Sequence, residues 1–152
     1  MATTAASSTT RRALVTWRGS LATGSGSVTG SSSGTFTDLP VSWPSRIESP
    51  DGRTSPEELL AAAHASCFSM ALSSRLAKAG AAPEQLEVGA TVTLTEADGA
   101  RRVTSSVLDV RLTGGGVDTE TLTRLAEDAK ENCPISQALK GNVEMSVEVV
   151  PG

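Results

Sequence analysis

"SPEELLAAAHASCFSMALSSRLAKAG", residues 55–80, is the stretch that decides the fold. Ser55 suits an N-cap, Pro56 fits the first helical position, and Glu58 completes an S-x-x-E capping box. Gly80 supplies the stop. Between these signals residues 59–77 are apolar or small almost all the way round. A helix without a polar face is one that is buried on all sides. The many alanines let other backbones approach closely, so the stretch predicts a long central helix with the rest of the chain wrapped on it.

Upstream, "PSRIESPDGRT" (44–54) reads as a connector. Its two prolines and the Asp51-Gly52 pair mark turns and exclude a continuous helix. From Leu14 to Val41 the chain reads as short strands, "ALVTW" and "LPVSW" flanking "GSGSVTGSSSGTFTD". That glycine-rich run lacks the G-K-[ST] ending of a phosphate loop and reads instead as turns and loose strands.

Downstream, "LEVGATVTL" sets Val88, Ala90, Val92 and Leu94 on one face, and "VLDVRL" does the same with Leu108, Val110 and Leu112. "EADGA" between them carries an Asp98-Gly99 turn signal, which predicts a hairpin. A second helix starts with Asp118 as N-cap and places Leu122, Leu125, Ala126 and Ala129 at helical spacing. It stops at "NCP", because Pro134 biases Cys133 away from helical angles. A short helix "PISQALK" and a strand "VEMSVEVV", with Val143, Met145, Val147 and Val149 alternating, end the chain. Strands interrupted by helices in this order predict an α+β fold with mostly antiparallel pairing.

Composition narrows the function classes. Only 38% of residues are hydrophobic and 3% aromatic, with no Tyr, so Ala and Val must supply much of the core and a dimer sharing that core suits the chain. A net charge of −4 with no basic run longer than two residues argues against a nucleic-acid surface. No apolar run approaches the roughly 20 residues of a membrane span. Residues 1–12 lack an apolar leader core and read as a flexible tail before a single domain, 13–152. A soluble, cytoplasmic protein is the expectation.

The chain has two cysteines, Cys67 and Cys133, and one histidine, His64. Two cysteines far apart, without C-x-x-C, make neither a disulfide scaffold nor, with one His, a four-ligand zinc site. Cys67, inside an apolar helix, should have a raised pKa and be inert, which is the packing reading. Cys133, as N-cap of the short helix, looks the more reactive because unpaired N–H groups there favour a thiolate. His64 shares a helix face with Cys67 at i, i+3 and could form a Cys–His pair, although a packed structural histidine is the commoner outcome. Arginine is the better activator for a buried thiol, since it stays charged when buried. Arg46 and Arg53 are the candidates near the helix start. Such an arginine needs a carboxylate; Glu58 belongs to the capping box, which leaves Glu57 for the role. Glu57 and Cys67 are ten residues apart, about 15 Å along a straight helix, so one site using both needs a second chain or a long arginine spanning the gap.

"TSPEELLAAAHASCFSMAL" together with "NCPISQAL" resembles the OsmC/Ohr family of thiol-dependent peroxidases, and "VTWRGSL" and "SRIE" are similar to its OsmC branch. The resemblance covers residues 13–150. It implies an OsmC-like fold, mostly antiparallel sheets around the central helix in an intertwined homodimer. It also implies reduction of organic hydroperoxides, and less efficiently of hydrogen peroxide. By position, Cys67 matches the peroxidatic cysteine, Cys133 the resolving one, Arg46 the activating arginine and Glu57 its orienting carboxylate, with Arg53 as the rival arginine. The implied cycle runs from thiolate through sulfenic acid to a Cys67–Cys133 disulfide that an external thiol reduces, without flavin, haem or metal. An apolar pocket with Phe68 and Met70 would favour organic peroxides. The rival from another class is a non-catalytic, stress-related binding protein with an apolar pocket and structural cysteines.

Overall fold

The structure, a computed structural model, describes residues 5–150. The chain divides into two compact units with the boundary between Ser55 and Pro56. Its helices and strands form the mixed α+β fold expected from the element order.

The first unit is an antiparallel meander of β1 (Leu14–Arg18), β2 (Ser25–Thr29) and β3 (Leu39–Val41). Gly30 is needed where the chain curls after β2: a Cβ there would lie 2.6 Å from the Phe36 ring, and Gly30 N–H donates to the Phe36 carbonyl at 3.0 Å. The connector is not wholly turn, as the sequence reading had it. It holds a one-turn helix, α1 (Trp43–Ile47), in which Ser42 and Ser45 cap each other reciprocally. Five residues are too few to show helical periodicity, so only its start signals were visible. Asp51 and Gly52, with φ of 47° and 76°, then make the expected turn. Of the tail expected over 1–12, residues 1–4 lie outside the described residues. Residues 5–13 form no helix or strand, yet Arg12 N–H donates to Ser32 Oγ at 2.6 Å. The last two residues of the expected domain also lie outside the described residues.

The second unit begins with α2 (Pro56–Lys78), which starts at the expected proline and runs unbroken. A long hairpin follows, β4 (Pro83–Ala97) and β5 (Ala100–Gly114), turning at Asp98 and Gly99, whose φ values of 54° and 76° are the left-handed pair of a type I′ turn. Its register sets Leu86 opposite Leu112, Val88 opposite Val110 and Ala90 opposite Leu108, so the alternating apolar residues share one face. Next come α3 (Thr119–Asn132), α4 (Pro134–Leu139) and β6 (Glu144–Val149). Asp118 caps α3 by accepting from Thr121 N–H at 2.7 Å. Because the helices form a crossover, β6 returns parallel to β5, giving the order β4-β5-β6.

α2 and α3 cover one face of this sheet. Phe68, Leu72 and Leu76 of α2 meet Leu108 and Val110 of β5 and Leu122, Leu125, Ala126 and Ala129 of α3 in one core. Each large side chain buried there contributes about 1.5–3 kcal/mol. The expectation that α2 is buried all round does not hold within this chain. His64, Phe68, Leu72 and Leu76, four residues apart, form the buried stripe, while Ala62, Ala63, Ser66, Met70 and Ser74 are exposed. A single sheet can cover only one side of a helix.

Candidate active site

The site is built where α2 crosses the start of α4. Pro134 cannot continue α3, so the backbone at Cys133 turns extended (φ −66°, ψ 127°), ending α3 and starting α4 at once. This turn brings Cys133 to Cys67. Both are unbridged thiols, Cys133 fully buried and Cys67 half-buried, and Cys67 packs against the core cluster that contains Cys133, near enough for each side chain to act on the other's ionisation. The backbone amide of Ile135, in the first turn of α4, is near enough to Cys67 to favour its thiolate.

That influence revises the local reading of Cys133. The residue is the N-cap of α4, but its side chain makes no capping bond, and it is sealed in the core. The α4 amide that favours a thiolate, that of Ile135, acts on Cys67 instead. At Cys67 burial pushes the thiol pKa up, the Cys133 side chain adds to that, and the Ile135 amide pulls the other way. Within its own unit Cys67 is therefore held toward the protonated thiol, as the helix context predicted.

His64 is fully buried one turn before Cys67. Its Nδ1 lies 2.7 Å from Ser106 Oγ on β5, and its Nε2 lies 2.8 Å from Ser136 Oγ on α4. Burial pushes its pKa down, so the ring is neutral, with one nitrogen donating and the other accepting. Both nitrogens are thus used by hydroxyls, and the Cys–His pair considered from the sequence gives way to a structural histidine. Ser106, Ser136 and the Ile135 N–H were not singled out in the sequence. The signal available was spacing: His64 precedes Cys67 by three residues, as Cys133 precedes Ser136, one helix face each.

The other predicted residues fall as follows. Glu57 is the second residue of α2, and because α2 is continuous it stands about 15 Å up the axis from Cys67; this helix does not bring the two together. Arg46 lies in the last turn of α1, its guanidinium carbon 6.0 Å from the Trp43 ring centroid. Arg53, the rival, sits in the following loop 3.8 Å from the Asp51 carboxylate, with both side chains largely exposed. Phe68 and Met70 do not share a pocket, because residues two positions apart on a helix point to nearly opposite sides. Phe68 is fully buried in the core, whereas Met70 is 69% exposed beside an open groove lined also by Ser69, Ser73 and Leu86. Among the described residues no His, Cys, Asp and Glu cluster could hold a metal ion, and no helix is long and apolar enough to cross a membrane.

The fold thus sets one half-buried thiol and one sealed thiol together at the core. Comparison with known proteins gives this geometry a context. The profile of the OsmC-like protein family matches residues 49–148, which include both cysteines. The chain is 36% identical over 133 residues to peroxiredoxin OsmC of Escherichia coli K12, covering 88% of this chain and 92% of that protein. To the organic hydroperoxide resistance protein OhrA of Bacillus subtilis it is 32% identical over 114 residues, 74% of this chain and 79% of that one. The crystal structure of the organic hydroperoxide resistance protein OhrB of Bacillus subtilis matches with a TM-score of 0.70 at 29% identity, over 91% of this chain and 98% of that chain.

Proposed function

This chain belongs to the OsmC family, and from that membership we propose that it is a cysteine peroxidase that reduces organic hydroperoxides, and hydrogen peroxide less efficiently, to the alcohol or water. The observation that carries the proposal is that two unbridged thiols from distant parts of the chain, Cys67 and Cys133, are brought together at the core where α2 meets the start of α4.

In the first step the Cys67 thiolate attacks the distal oxygen of the hydroperoxide. A sulfur–oxygen bond forms, the oxygen–oxygen bond breaks, and the alkoxide leaves with a proton as alcohol. In the second, the Cys133 sulfur attacks the Cys67 sulfenic acid, forming the disulfide and releasing water. Holding Cys133 beside Cys67 in the same chain makes this step unimolecular and competitive with a second peroxide. An external thiol returns the disulfide to dithiol by exchange. Because burial disfavours the Cys67 thiolate, the cycle needs a cation. We assign that role to Arg46, oriented by Glu57 in a homodimer, with stabilisation of charge on the leaving oxygen as its second contribution. We propose a cytoplasmic location, where a thiol reductant is at hand.

Loss of cumene hydroperoxide in the presence of dithiothreitol tests the reading. Wild-type protein should turn over and Cys67→Ser should not; with dithiothreitol left out, Cys133→Ser should complete one turnover and leave a trappable sulfenic acid. Turnover that survives Cys67→Ser would remove Cys67 from the mechanism. Arg46→Ala should slow the first step while Arg53→Ala leaves it near wild type; the reverse pattern would transfer the role to Arg53.

A further inference from the structure

We infer that His64, through its bond to Ser136, is a positioning residue that holds the start of α4 in register with α2 and so sets the approach of Cys133 to Cys67. The inference rests on the two-cysteine cycle proposed above, and it gives work to a buried group that cycle does not use.

The geometry is a double rung between two helices. On α2, His64 and Cys67 are one turn apart on the same face; on α4, Ser136 and Cys133 are likewise one turn apart. Cys67 lies beside Cys133 and the Ile135 amide, while His64 meets Ser136 at 2.8 Å. Two such pairings fix both the translation of α4 along α2 and its rotation; one alone would leave the rotation open. The rung is anchored behind, because the other ring nitrogen holds Ser106 on β5 at 2.7 Å. The ring and both hydroxyls are buried, at 0% for His64 and Ser106 and 1% for Ser136. No water competes for these bonds, and a partner removed leaves a buried polar atom unsatisfied.

α4 needs such an anchor. It has six residues, begins without a side-chain cap, and is too short to hold its own geometry. Its first turn carries the sulfur and the amide that act on Cys67, so a small slip at Ser136 displaces both. A misplacement of about 1 Å can cost on the order of a hundredfold in rate for an intramolecular step.

The test uses an aromatic disulfide, 5,5′-dithiobis(2-nitrobenzoate), which does not depend on peroxidase activity. The Cys67 thiolate takes one arm as a mixed disulfide and releases the first thionitrobenzoate. Attack by the Cys133 thiolate on the Cys67 sulfur then forms the protein disulfide and releases the second. Ser136→Ala should slow the second release at least about tenfold relative to the first, and Ser136→Thr, which keeps the hydroxyl, should restore it. Ser106→Ala removes the same kind of bond from the same ring on the side away from Cys133. It should match Ser136→Ala in lost stability by urea unfolding, yet slow closure much less. Closure unchanged in Ser136→Ala, or slowed equally by Ser136→Ala and Ser106→Ala, would overturn the inference. A wild type that closes its disulfide but consumes no cumene hydroperoxide would instead overturn the peroxidase reading and leave the positioning result standing.

Discussion

Replacing Cys133 by alanine should make Cys67 more reactive toward a simple alkylating agent, although it ends the disulfide cycle. Burial and the Cys133 side chain both hold Cys67 in its protonated form, and the Ile135 amide opposes them. The substitution removes the second influence and leaves the other two. The thiolate population below the midpoint should therefore rise. Nucleophilicity falls as the thiolate becomes less basic, with a Brønsted coefficient of about 0.4–0.5. The observed rate should therefore rise at neutral pH, by less than the thiolate population does. The assay is the pH–rate profile for iodoacetamide in wild type and Cys133→Ala, with the Cys67 adduct counted by peptide mapping. The variant's profile should turn over at lower pH, with a plateau no higher than that of wild type. A raised plateau at an unchanged midpoint would mean that the substitution merely opened access, and a slower reaction at neutral pH would refute the reasoning outright.

Two further outcomes follow from the second unit. Burial holds the His64 pKa below its unfolded value. The unfolded chain therefore binds more protons, and stability falls as pH drops through the unfolded histidine value of about 6.5 toward the folded one. Urea midpoints of wild type and His64→Gln should run parallel above that value and converge below it; parallel curves throughout would contradict the buried, neutral ring. Leu108→Ala deletes a fully buried side chain between α2 and the sheet and should cost about 2–5 kcal/mol in the same measurement, whereas a loss under 1 kcal/mol would mean that the core is not packed as described.

Much of the second unit was legible before any coordinates. The Pro56 start, the Asp98-Gly99 turn, the Asp118 cap and the break at Pro134 are local chemistry, and each lies where the residues put it. The apolar alternation of β4 and β5 was also readable, because a strand's period is visible in a single stretch. α1 was missed because one turn of helix shows no period. The pocket assigned to Phe68 and Met70 failed for a different reason. Both are large and apolar, and only the helix's facing to the sheet separates the buried one from the exposed one.

For the cysteines the division is sharper. The sequence by itself determined that Cys67 lies in an apolar helix, that Cys133 starts a short one, and, through the motifs around them, which family the chain resembles. Only the tertiary structure decided which thiol the α4 amide acts on, and it is Cys67, not the residue capping that helix. It also decided that His64 turns to Ser106 and Ser136 rather than to the cysteine beside it. The physical reason is that caps, turns and periods are settled by neighbours in the chain, within a turn or two. A buried hydrogen bond is settled by whichever group arrives from another element when water is excluded, and no local pattern records that meeting.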